Sequence, residues 1–321
     1  MKSNYRKLLN ELHECALRDE LPLETVEQDY AISYLLAGLT QVPLLSDTLV
    51  FRGGTALRKC YFEGYRYSKD LDYSVQGSLG IDQYNRALSE AAGIARDMLN
   101  EANAPNKFDV SVTLVQGRDE HNDLQDLHKF VVKFPWHLEQ KSGRAGRTIK
   151  LDTSHSEPVV LPPVTKNLIH RYNNPLAVEV KCVALDEIMS EKFVAMCAVA
   201  AQRKRQERVF TRPRDYFDFG HALSKKGLNN KVDFLAAVLI KSERRGIEIL
   251  SMEELASDAS VAALERDWKA FLGDVVSNLP DCDQALKELE GKMQELFPDF
   301  GESLASSGER AMELKANWKR K

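Results

Sequence analysis

The sequence predicts an α/β fold of the α+β kind, with a small mixed sheet followed by a lobe built almost entirely of helix. Three observations predict it. Residues 48–74 (TLVFRGGTALRKCYFEGYRYSKDLDYS) read as strand, glycine turn, helix and strand. Three later runs, 108–115, 129–134 and 147–154, show the alternation of half-buried strands. From Leu185 onward the apolar residues recur at helical spacing instead, which places a boundary near Val183 and divides the chain into residues 1–182 and 183–321.

Taken in order, Ser3 to Arg18 and Thr25 to Leu39 read as two helices, the second with Val26, Tyr30, Ile32, Leu35, Leu36 and Leu39 as its apolar positions. The opening MKSNYRKLLNELHE has neither the continuous apolar core nor the small-residue cleavage site of a signal peptide, so a cytoplasmic protein is expected. Pro43 and a turn at Ser46-Asp47 separate these helices from the strand Thr48 to Phe51. The turn Gly53-Gly54-Thr55 then feeds a helix, Ala56 to Phe62. A strand that runs through glycines into a helix is suited to phosphate, because the backbone can approach the ligand and the first helical N–H groups point at the anion.

After that helix, side chains two apart on a strand put Asp70, Asp72 and Ser74 on one face and Leu71, Tyr73 and Val75 on the other. Two carboxylates side by side repel unless a cation lies between them. A hard divalent ion with oxygen ligands resolves the repulsion, and Mg²⁺ keeps positions open for phosphate oxygens.

Tyr84 to Ala102 is the next predicted helix, followed by the three strand-like runs. In RTIKLDTS, Ile149 and Leu151 face one way and Lys150, Asp152 and Ser154 the other, so Asp152 is placed either as a third metal carboxylate or as a solvated strand residue. KSGRAGR (141–147) reads as a flexible basic loop, and Leu176 to Cys182 as one more strand. On the helix from Leu185, the residues Leu185, Ile188, Met189, Met196 and Val199 fill one arc, with Lys192 near its middle. Such a lysine extends past the stripe, pairs with a buried acid, or carries its ammonium into an active site. Pro213 opens another helix whose acids Asp215 and Asp218 are three apart and share a face. Helical periods recur at 234–240, 262–276 and 285–297 with no further chemistry.

Composition narrows the function. The 321 residues are 43% apolar and 29% charged, the balance of a globular protein, and no apolar run approaches a membrane span. Five scattered cysteines without C-x-x-C spacing argue against a disulfide framework and against zinc. A net charge of -4 excludes a generally basic coat, so an RNA contact has to come from a local patch. Arg203, Lys204, Arg205, Arg208, Arg212 and Arg214, which lead into the Asp215 segment, form one.

The order of glycine turn, helix and D-x-D strand resembles the nucleotidyltransferase superfamily. The strings GGTALRK and YRYSKDLDYS resemble, more narrowly, the AbiEii/AbiGii nucleotidyltransferase-like toxins, as do DEIMSEKFVA around Lys192 and R-x-R-D-x-x-D-F around Asp215. Asp29-Tyr30 before a Leu-Leu pair resembles the family's lead-in segment, and no site residue is taken from it. The resemblance spans about Glu24 to Phe219 and departs from the wider superfamily in having Gly-Gly-Thr where Gly-Ser is common.

It implies a nucleotidyltransferase-type sheet core and a helical C-terminal lobe that brings Lys192 and Asp215 to one cleft with the acids. In that scheme Asp70, Asp72 and Asp152 hold Mg²⁺ or Mn²⁺, while Gly53, Gly54, Thr55, Arg66, Ser68 and Lys192 bind the NTP. Asp70, Asp72, Lys192 and Asp215 are catalytic. The implied activity is transfer of a nucleotide to RNA, at the tRNA 3′ end, by a bacterial toxin with a cognate antitoxin and no membrane attachment. Modification of a protein or small molecule, and nucleotide binding without chemistry, are the alternatives.

Overall fold

The computed structural model describes residues 3–77, 81–103, 111–116, 127–134, 147–154, 157–204, 211–255 and 258–318. Residues 141–146 of the basic loop expected at 141–147, and residues 205–210 of the basic run, lie outside them. Contacts divide the chain into two units, Met1–Val159 with Pro163–Val183, and Val160–Pro162 with Ala184–Lys321.

The first unit opens with α1 (Ser3–Arg18), α2 (Leu23–Gln41) and α3 (Pro43–Thr48). The stretch read as a turn before the core strand is therefore α3. Pro43 takes the first helical position, where a missing N–H costs nothing, and the Thr48 hydroxyl closes the last turn on the Leu44 carbonyl at 2.6 Å. β1 (Leu49–Arg52) follows one residue later than expected, then α4 (Gly53–Ala56), which continues as a π turn over Leu57–Tyr61. The remaining elements are β2 (Asp70–Val75), α5 (Ile81–Asn103), β3 (Ser111–Gln116), β4 (Leu127–Phe134), β5 (Arg147–Ser154), β6 (Val164–Asn167) and β7 (Glu179–Cys182).

The strands form one sheet in the order β3-β4-β5-β2-β1-β7-β6. β1 runs antiparallel to β2 and parallel to β7, and β2 runs parallel to β5. β6 has no counterpart in the sequence reading: four residues after Pro162-Pro163, at the sheet's edge, leave too short a period to detect.

α2 is the organising helix of this unit. The periodicity predicts an amphipathic helix, yet α2 is buried from Thr25 to Leu39 except at Gln28, polar Glu27, Asp29 and Ser33 included. Against α5 it approaches so closely that a Cβ on Gly38 would collide with the Ala91 carbonyl, and the small residues Ala87, Ala91 and Ala95 are buried on α5. Tyr30 and Tyr34 of α2 meet His170 and Tyr172 in an aromatic cluster with centroid separations of 5.0 to 5.9 Å.

In that cluster both ring nitrogens of His170 are buried. Burial, with the Lys59 charge behind it, pulls the imidazole down to about 4 from its ordinary 6.5. The folded protein thus keeps His170 neutral while the unfolded chain takes up a proton below pH 6.5. Its contribution is complete above that pH and is lost as pH falls through about 4. We expect the wild type to lose about 1–2 kcal/mol of stability between pH 6.5 and 5 from this residue. Urea titrations at both pH values should show a smaller difference for His170→Phe; an equal difference would contradict the assignment.

The second unit comprises α6 (Leu185–Lys204), α7 (Pro213–Lys225), α8 (Lys231–Arg245), α9 (Met252–Leu255), α10 (Asp258–Leu272), α11 (Cys282–Leu296), α12 (Phe300–Ser306) and α13 (Gly308–Trp318). Phe193, Phe219, Phe234, Phe297 and Phe300 form an aromatic cluster, with centroids 5.7 to 6.1 Å apart. Beside them Lys241, 1% exposed, pairs with Glu187 at 2.8 Å and Glu191 at 2.9 Å. Glu187 also accepts the Val160 and Leu161 N–H groups at 2.9 and 2.8 Å, which anchors the short segment Val160–Pro162 to this unit. Among the described residues no helix is long and apolar enough to cross a membrane.

Candidate active site

The chain leaves β1 at Arg52 and turns into α4 through Gly53, whose φ of +77° lies in the left-handed region. A Cβ on Gly53 would also collide with Oδ2 of Asp72. Only glycine meets both demands, and the Asp72 carboxylate consequently packs directly on the turn. Over Gly54, the place a Cβ would take is 2.6 Å from Nη2 of Arg66 and 3.2 Å from Oγ of Ser68. A guanidinium and a hydroxyl thus converge on the second glycine.

Thr55 is fully buried, and its hydroxyl donates to the Asp70 main-chain carbonyl. That bond ties the start of the helix to β2. What Thr55 offers an anion is its main-chain N–H, one of the first four of a helix that have no partner within it.

Asp70 and Asp72 are half-buried on one face of β2, as the alternation predicts, with Leu71 and Tyr73 buried on the other. Strand pairing sets Arg52 opposite Asp72 on one side and Asp152 opposite Asp72 on the other, so the three form a row across β1, β2 and β5. Arg52 reaches along the face, donating to Ser74 Oγ at 3.1 Å and lying 3.9 Å from Glu157 Oε2. Among the described residues no three His, Cys, Asp or Glu side chains are arranged to hold a metal ion. Asp152 lies beside Asp72 in the parallel β2–β5 register. Mg²⁺ needs no closed cage, since one or two carboxylates together with substrate phosphates suffice, and Asp70 with Asp72 on one face fit that requirement.

In the second unit the lysine predicted from the helical wheel pairs with acids. Lys192 Nζ lies 2.7 Å from Asp215 Oδ1 and 2.9 Å from Asp218 Oδ2, and Arg212 Nη1 reaches the other Asp215 oxygen at 3.1 Å. The side chain of Asp218 is completely buried, that of Asp215 nearly so, and that of Lys192 is 14% exposed. Pro213 in the first turn of α7 and the i, i+3 spacing of the acids bring both carboxylates to one ammonium.

The family model described as "Nucleotidyl transferase AbiEii toxin, Type IV TA system" matches residues 34–305. The chain belongs to the AbiEii family. No curated protein matches it. The AbiEii match runs on past Phe219 into α12, so the C-terminal helices, from which the sequence yields no chemistry, are part of the family's domain. Membership makes the chain a nucleotidyltransferase-family toxin of a type IV toxin–antitoxin system, with an NTP as substrate and an antitoxin as counterpart.

Two groups of AbiEii residues escape the sequence reading. Asp218, noted only as a neighbour of Asp215, is the buried half of the Lys192 pair. Asp29, five residues before the family match begins, accepts Arg58 and Lys59 of the GGTALRK string. The sequence carries no signal for the pair as a whole: Arg58 has no acid three or four residues away, but Lys59 has Glu63 four residues on, the spacing of an ordinary helix-surface pair.

Proposed function

We propose that this protein transfers a nucleoside monophosphate from an NTP to an acceptor hydroxyl, with Asp70 and Asp72 as the carboxylates of a divalent ion. The observation that carries the reading is the Asp72 carboxylate packed on the Gly53 turn, which joins an acid face to a phosphate-binding backbone. The N–H groups of the turn bind triphosphate oxygens, and Arg66 and Ser68 over Gly54 hold the phosphates from the other side. A bound Mg²⁺ or Mn²⁺ supplies polarisation of the reacting phosphoryl group and neutralisation of its charge. Asp152, beside Asp72 in the sheet, takes the proton of the attacking hydroxyl or completes the metal's ligands. Lys192 balances the charge that develops on departing pyrophosphate, and Asp215 orients its ammonium. Catalysis of this kind consists mainly of positioning and charge neutralisation.

The acceptor we assign is RNA, at the tRNA 3′ end, and the compartment the cytoplasm. With a net charge of -4, RNA has to be met locally; Arg212 and Arg214 are exposed at the head of α7, next to Asp215. Incubation with each of the four α-labelled NTPs, total RNA and total protein should place the label in tRNA. Label in protein or in a small molecule would move the acceptor, and NTP binding without transfer would make the protein a regulator.

A further inference from the structure

Buried α2 carries Asp29 into the interior of the first unit, where two cations meet it. Asp29 Oδ1 accepts Arg58 Nε at 2.5 Å; Oδ2 accepts Lys59 Nζ at 2.8 Å and the Tyr172 hydroxyl at 2.9 Å. Lys59 also donates to Ser33 Oγ at 2.9 Å, and it is 1% exposed. Neighbouring residues of an α-helix do not face one target. Here the π turn, closed by the Phe62 N–H on the Leu57 carbonyl at 2.8 Å, lets adjacent Arg58 and Lys59 reach one carboxylate. Burial raises the Asp29 carboxyl, but the two cations outweigh it and hold it well below the usual carboxylate range; burial brings Lys59 down to about 8.

From this cluster a path of direct contacts leads to the phosphate turn. The Arg58 guanidinium, fixed by Asp29, donates to the Tyr65 carbonyl and lies 3.4 Å over the Tyr67 ring. Between those two anchored residues stands Arg66, which donates to the Tyr67 carbonyl at 3.1 Å and brings Nη2 against Gly54. Gln28, next to Asp29, donates to the Lys69 carbonyl at 3.2 Å and the Thr148 carbonyl at 3.1 Å, holding the far end of the strap just before Asp70.

We propose that Asp29 is a positioning residue for the phosphate turn: by fixing Arg58 it fixes the strap 65–68, and so the place of the Arg66 guanidinium and Ser68 hydroxyl over Gly54. The ligand is the triphosphate of the NTP, so this deepens the transferase reading and rests on it. Asp29 touches no substrate in this account.

The test uses the full-length protein carrying Asp29→Asn with Lys59→Met, which keeps the net charge of the cluster while removing the Arg58 anchor. Without nucleotide, amide hydrogen exchange over 62–69 should rise about ten-fold or more, with α5 and the sheet unchanged. Affinity for inorganic tripolyphosphate should fall about ten-fold, and KM for NTP should rise likewise while kcat stays within about three-fold. Asp29→Glu, which retains the carboxylate, should recover part of each loss. Unchanged exchange over 62–69 would overturn the proposal. So would a rise spread evenly over the first unit, the mark of a purely structural cluster, or a loosened strap with unaltered tripolyphosphate affinity. A wild type that binds tripolyphosphate but transfers nothing overturns the transferase reading and leaves the positioning claim to the exchange and affinity data. A wild type that binds no tripolyphosphate overturns both.

Discussion

Asp72→Ala should reduce kcat for nucleotide transfer by about a thousand-fold or more, the equivalent of several kcal/mol of lost transition-state charge stabilisation. The fold should survive, because Asp72 is half-buried on a polar strand face and its removal opens no cavity in the core. Melting in EDTA should remain one cooperative transition near the wild-type temperature, since the carboxylate lies between like charges at Asp70 and Asp152 and the opposite charge of Arg52. Asp70→Ala is expected to behave alike. Wild-type turnover in either variant, measured with α-labelled NTP, would remove the metal assignment.

The second large effect is expected at Lys192, and here stability and activity move together. From the sequence an apolar arc could close over a shortened side chain. The structure instead places Asp218, with no exposed side-chain surface, against the ammonium at 2.9 Å. Removing one partner of a buried pair leaves an uncompensated charge, so Lys192→Met should cost about 3 kcal/mol, read from urea unfolding. Transfer should also fall sharply. The double variant Lys192→Met/Asp218→Asn separates the effects: it removes one of the two carboxylates that faced the ammonium and should restore part of the stability while leaving transfer impaired. Recovery of activity along with stability would mean that Lys192 serves only the fold.

These expectations rest on features of unequal legibility in the sequence. β5 is found at its full bounds and β2 through its alternating residues, because period-2 alternation is strong where one face is buried and the other polar, and Asp70 and Asp72 are therefore placed on one face as the structure has them. The glycine turn is legible because Gly53 adopts a conformation that glycine alone takes readily. α2 is misjudged in kind: burial on nearly every side leaves no polar face, and a hydrophobic period cannot tell such a helix from an amphipathic one. The contacts of Asp29 with Arg58 and Lys59 join residues about thirty positions apart in sequence, and no local pattern encodes them. Lys192 is anomalous on its wheel, so sequence marks it, but its partners come from α7, which only tertiary structure identifies.

The central claim is that the chain moves the α-phosphoryl group with its nucleoside. Parallel reactions of wild type and Asp72→Ala with [α-³²P]NTP and [γ-³²P]NTP, in the presence of Mg²⁺ and total tRNA, test it directly. The account predicts α-label in RNA, γ-label released as pyrophosphate, and neither product with Asp72→Ala. Label transferred from the γ-position, or NTP recovered intact after binding to the wild type, would contradict it.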